Sequence, residues 1–132
     1  MKSYADIEQS KKLAEILPIE SADNVIVSFG SREGTTTLVM PKETLDVIRT
    51  PFSDIREVIP CWSLAALLDV LPKKYYPIKE HETNLIIGKP KDKWCVLYWD
   101  TTGMQHGEET LGDNPIDACY EMIIKLNELK ML

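Results

Sequence analysis

The stretch "NVIVSFGSREGTTTLVM" constrains the fold most tightly. Two runs rich in β-branched residues, Asn24–Phe29 and Thr35–Met40, are separated only by "GSREG". That connection is too short for the crossover a parallel pair needs, and its glycines supply the positive φ angles of a hairpin turn. Val25, Val27 and Phe29 then share one face. The pattern returns later as "NLIIG" and "WCVLYW", joined by "KPKDK" with Gly88 and Pro90 as turn signals. The run Trp94–Trp99 is apolar at nearly every position, which suits a central strand covered on both faces. "DTTG" turns the chain back, and "MQHGEETL" reads as a third, more polar strand at the sheet edge.

Helical signals flank the hairpins. Ser3 and Asp6 give a start resembling a capping box, and Ile7, Leu13, Ala14 and Leu17 form a stripe, predicting a helix over residues 4–17 that Pro18 stops. Pro41 opens a short helix carrying Leu45, Val47 and Ile48, which "TPF" ends. In "IPCWSLAALLDVLPK", Leu64, Leu67, Leu68 and Leu71 recur at i, i+3, i+4 and i+7, the spacing of a core helix. "GDNPIDACYEMIIKLNELKML" has Asp113 or Asn114 as cap, Pro115 at the first helical position and a stripe of Ile116, Cys119, Tyr120, Ile123 and Leu126. The order α, β, β, α, α, β, β, β, α lacks βαβ alternation. It predicts an α+β fold, a mainly antiparallel sheet built from two hairpins and packed by N-terminal, central and C-terminal helices, as a single domain over residues 1–132. The halves share a helix, hairpin, helix plan without a residue-level repeat.

Fifteen Lys and Arg stand against 21 Asp and Glu, a net charge of −6 that disfavours general attraction to phosphate backbones or anionic membranes. The start "MKSYADIEQSKK" resembles neither a signal nor a transit peptide, and no apolar run is long enough to cross a bilayer, so the expected location is the cytoplasm. Cys61, Cys95 and Cys119 are odd in number, widely spaced and without a CxxC, which points to reduced, packed thiols.

Cys61 is the first candidate for chemistry. A thiol at a helix N-terminus feels the positive end of the dipole, and Cys followed by Trp is a feature of papain-like hydrolases, with His81 or His106 as the available base. The glycine-bearing sequence around a papain-type Cys is absent, and no Asn or Asp orients either His, so buried packing of Cys61 and Trp62 is the simpler reading. "HE" and "HGEE" offer metal-ligand types through His81, Glu82, His106, Glu108 and Glu109 but lack the i, i+4 spacing of a helical site; no metal and no cofactor is expected. "SFGSREGTTT" lacks the Lys of a phosphate loop.

A binding surface has more support. Residues 73–93 carry six lysines, Lys89, Lys91 and Lys93 among them, against three acids, and Tyr75, Tyr76, Trp94 and Tyr98 interleave with or follow these lysines. Cations beside aromatic platforms can hold a single nucleic-acid strand; the same residues can keep a hairpin tip soluble while the aromatics fill a core. Residues 94–132 swing back, with seven acids against two lysines, which opposes nucleic acid as a partner.

At "EQSKKLAEILPIESAD", "PCWSLAALLDVLP" and "DNPIDACYEMIIKLNELKML" the chain resembles small uncharacterised proteins encoded in prophages and other mobile elements of gut anaerobes. That group brings no activity, cofactor or binding residues with it. The resemblance implies a genetic setting in which small acidic proteins serve as accessory factors. With no complete catalytic constellation, the expected function is a non-enzymatic interaction or regulatory module that binds a protein partner or itself. The alternatives are a cysteine-dependent hydrolase using Cys61 and a single-strand binder using the Lys and aromatic hairpin.

Overall fold

Two antiparallel sheets organise the chain in the computed structural model. It describes residues 2–31, 34–48, 55–78, 81–100 and 105–132, with backbone alone at 31, 48, 74–78, 81–83, 100 and 105–107. The elements run α1 (Ile7–Ile16), a 3-10 turn (Ile19–Ser21), β1 (Asn24–Ser31), β2 (Gly34–Pro41), α2 (Lys42–Ile48), β3 (Ile55–Cys61), α3 (Leu64–Val70), β4 (Lys74–Ile78), β5 (His81–Gly88), β6 (Trp94–Asp100), β7 (Gln105–Gly112) and α4 (Pro115–Glu128). The fold is α+β, with both expected hairpins in place. The described residues cluster into two compact units, Tyr4–Ala66 and Leu67–Leu132 with Lys2 and Ser3.

The first unit holds the sheet β2-β1-β3. β1 and β2 pair from Asn24↔Pro41 to Ser31↔Gly34, and Gly34 takes a φ of 130°, a region L-residues rarely adopt. On one face Val25 and Val27 bury against Leu45 of α2, with Phe29, Met40, Ile55 and Val58 around them, as the alternation of β1 requires. On the other face Ile26, Ile59 and Cys61 form a second cluster, and α1 packs on β3. The N-cap of α1 is Asp6, not Ser3: its carboxylate accepts the Gln9 amide at 2.8 Å while the Gln9 side chain accepts the Asp6 amide at 3.1 Å. Ile7, at the first helical position, is 41% exposed, and the buried positions of α1 are Ser10 and Leu13. Pro41 closes β2 instead of opening α2, and "TPF" lies outside the described residues.

The second unit holds the sheet β4-β5-β6-β7, with β6 central and β7 at the edge as expected. α4 covers one face of β6. Val96 pairs with Thr110, and the Thr110 hydroxyl donates to the Ala118 carbonyl of α4 at 2.8 Å, which fixes the covered face. Val96 and Tyr98 point there and are fully buried against a helix whose Ile116, Cys119, Met122, Ile123 and Leu126 are buried too. The α4 cap is Asn114, which accepts the Asp117 amide at 2.9 Å, with Pro115 following. β4 occupies residues read from sequence as a linker.

Candidate functional site

Cys61 ends a β-strand; it does not begin a helix. It pairs with Asn24 in the β1–β3 ladder, and the helix starts only at Leu64, capped by Ser63, whose Oγ accepts the Ala66 amide at 3.3 Å. The thiol therefore gains nothing from a helix dipole. It is fully buried beside Ile26 and Ile59 and donates to the Ala5 carbonyl at 3.5 Å. Burial pushes its pKa up; a hydrogen bond with Ser10 opposes this, and the charge of Asp23 adds to it. Trp62 beside it is fully buried, its indole N–H donating to Ser21 Oγ at 2.9 Å. Both act as packing groups.

The other two thiols are buried as well. Burial holds Cys119 up at about 12. Cys95 is held up at about 11, first by burial and then by its hydrogen bond to Glu109 at 3.3 Å and that group's negative charge. None of the three offers a thiolate at neutral pH. Among the described residues, no three His, Cys, Asp or Glu side chains converge as metal ligands. The side chains of Tyr75, Tyr76, His81 and His106 lie outside the described residues, although their backbones stand in β4, β5 and β7.

The lysines of the β5–β6 turn are exposed. Lys93 Nζ pairs with Asp113, and that hydrogen bond and charge raise the ammonium's pKa. Trp94 opens β6 half-buried and, by strand alternation, lies on the same face as the buried Val96 and Tyr98. Tyr98, beside them in the sequence, is no platform for a base: it is fully buried and its hydroxyl donates to the Pro72 carbonyl at 2.7 Å.

A surface that sequence reasoning passed over is the face of the four-stranded sheet opposite α4. Cys95, Leu97 and Trp99 alternate onto it from β6, and Leu97 pairs with Ile86 of β5 while Cys95 pairs with Leu111 of β7. Ile86 is 44% exposed and Leu111 54%. An open apolar cleft of about 490 Å³ runs over Ile86, Cys95, Leu97 and Trp99, with Lys89 and Pro90 at its rim. The available signal was the alternation of "WCVLYW" against "NLIIG", which puts an apolar row on each face, whereas only one long amphipathic helix, α4, follows to cover them.

No family model, curated protein or solved structure matches the chain. Among the described residues, no helix is long and apolar enough to cross a membrane.

Proposed function

We propose that the chain is a non-enzymatic interaction module that docks a protein partner on the face of the four-stranded sheet opposite α4. The observation that carries this reading is the open apolar cleft over Ile86, Leu97 and Trp99 on the side of the sheet opposite α4, with the exposed Leu111 on the same face. Contiguous exposed apolar surface with a polar rim is characteristic of partner sites. Its chemistry suits an apolar ridge flanked by acids that face Lys89. The burial of all three thiols weighs against a cysteine hydrolase. The resemblance of both ends and the central helix to proteins of mobile elements supports an accessory role in such an element, acting in the cytoplasm.

The test is a photo-crosslinking residue placed at Leu111 in cells, followed by binding measurements with the purified partner. A discrete adduct is expected, with affinity falling at least about tenfold in Ile86→Lys or Leu111→Lys. Absence of an adduct, or affinity indifferent to both substitutions, overturns the reading.

One observation favours a second reading: Trp99 and Lys89 line the same cleft, an aromatic and a cation of the kind that single-strand binders use. Quenching of Trp99 fluorescence by oligothymidylate at low salt, lost in Lys89→Glu, would support it. No quenching removes it.

A further inference from the structure

Four strands form the edges of the two sheets: β2, β3, β4 and β7. Three carry the devices that discourage edge pairing. β3 has Arg56, Glu57 and Pro60, β4 has Lys74 and Pro77, and β7 has Glu108 and Glu109. β2 has no charged residue from Gly34 to Pro41, and its one Pro is the last residue. All of its side chains are exposed except the half-buried Met40, with Leu38 at 50% and Val39 at 42%. An edge of this kind leaves alternate backbone N–H and C=O groups without a ladder partner.

Beside that edge lies a groove of about 370 Å³. Its floor is Ile26, its walls are Val39 and Thr37 on one side and Ala5 and Ile7 on the other, and Asp6 and Glu8 stand at the rim. Val39 pairs with Ile26 across β1–β2, so the groove opens onto the face on which a strand added to β2 would set alternate side chains.

We infer that β2 and this groove form a β-augmentation site for an extended peptide segment carrying an apolar residue and, two positions away, a Lys or Arg. The strand pairs with the edge of β2, its apolar side chain packs beside Val39 and Thr37 at the mouth of the groove, and the basic residue on the same face reaches toward Asp6 and Glu8. Charge selects this occupant over a second copy of the chain. A copy of β2 has no cation to bring to those two acids, and each molecule carries a net charge of −6. Area points the same way: one strand against its copy falls short of the roughly 800 Å² per partner of a stable interface, whereas a peptide needs only the edge and the groove. This deepens the reading of the chain as an interaction module but uses a surface in the other unit.

The probe is a set of short synthetic peptides alternating Thr with Val, Leu, Lys, Arg, Asp or Glu, titrated against the full chain by fluorescence anisotropy. Peptides with apolar and basic residues at alternate positions are expected to bind, and acidic counterparts to bind at least about tenfold more weakly. Val39→Lys should abolish binding, Glu8→Lys should weaken it in a salt-dependent way, and N-methylation of alternate peptide amides should abolish it. Both substitutions are at exposed positions, and circular dichroism with urea unfolding checks that the fold is kept. No binding by any peptide, equal binding of acidic ones, or indifference to Val39→Lys overturns the proposal. So does a dimer in sedimentation equilibrium that Val39→Lys dissolves, which would assign the edge to a second copy. Ile86→Lys and Leu111→Lys should leave peptide binding unchanged, so failure at one surface is distinguishable from failure at the other.

Discussion

Asp23 accepts two hydrogen bonds from Ser63: the backbone N–H reaches Oδ1 at 3.0 Å and the hydroxyl meets Oδ2. That hydroxyl in turn accepts the Ala66 amide, so one carboxylate joins the start of β1 to the cap of α3. Burial pushes the Asp23 pKa up, but the bonds from Ser63 outweigh it and the net position is below the usual 3.8. A depressed folded pKa stabilises the native state above the unfolded value, and the contribution is lost as pH falls through the folded one. Asp23→Ala should therefore cost about 1–3 kcal/mol at neutral pH, with two Ser63 donors left unpaired. The gap between wild type and variant should close below pH 3.8, as measured by urea unfolding at a series of pH values. A gap that persists at low pH would assign the loss to packing.

The two strands missed in the sequence share a property. β3 and β4 each contain a Pro, Pro60 and Pro77, and each is an edge strand. Proline punctuates a sequence reading, yet at an edge its missing N–H can face solvent at little cost. Pro60 followed by Cys61 and Trp62 thus read as the approach to a helix, although the strand continues through Cys61 and the cap is Ser63. The hairpins and α4 were legible because their signals are local: a glycine turn, alternation, an Asn-Pro start. Division into two sheets was not legible, because it depends on β3 pairing with β1 across a helix. The apolar face opposite α4 and the bare β2 edge likewise depend on tertiary packing, which periodicity does not report.

Burial of all three thiols predicts slow modification. In the folded protein at pH 8, Cys61, Cys95 and Cys119 should react with a disulfide reagent at least about a hundredfold more slowly than in denaturant, since the raised pKa values leave little thiolate. Mass mapping after partial labelling identifies the sites. Rapid labelling of Cys61 at neutral pH would overturn its assignment as a packing group and revive the nucleophile.

Tyr98 fills the core beneath α4 and spends its one polar atom on the Pro72 carbonyl. Tyr98→Phe keeps the ring and strips that half-buried carbonyl of its donor, so about 1 kcal/mol of stability should be lost. Tyr98→Ala should cost about 3–5 kcal/mol, because a large cavity is added to the same loss. Chemical denaturation of the two variants separates hydrogen bond from volume; equal losses would show that the ring matters little.

Two glycines of the second sheet make a paired test of packing. A Cβ on Gly112 would sit 2.5 Å from the Ala118 amide nitrogen and 2.9 Å from Asp117 Cβ, and the former is backbone of α4 that has no rotamer to yield. A Cβ on Gly88 meets nothing within 4 Å. Neither glycine has a positive φ, so strain does not enter and only space differs. Gly112→Ala should push α4 off β7 and cost about 1–3 kcal/mol, the penalty of overpacking, while Gly88→Ala should be neutral or slightly stabilising. Urea midpoints of the two variants decide it: equal midpoints would mean that α4 does not approach β7 as closely as Gly112 allows.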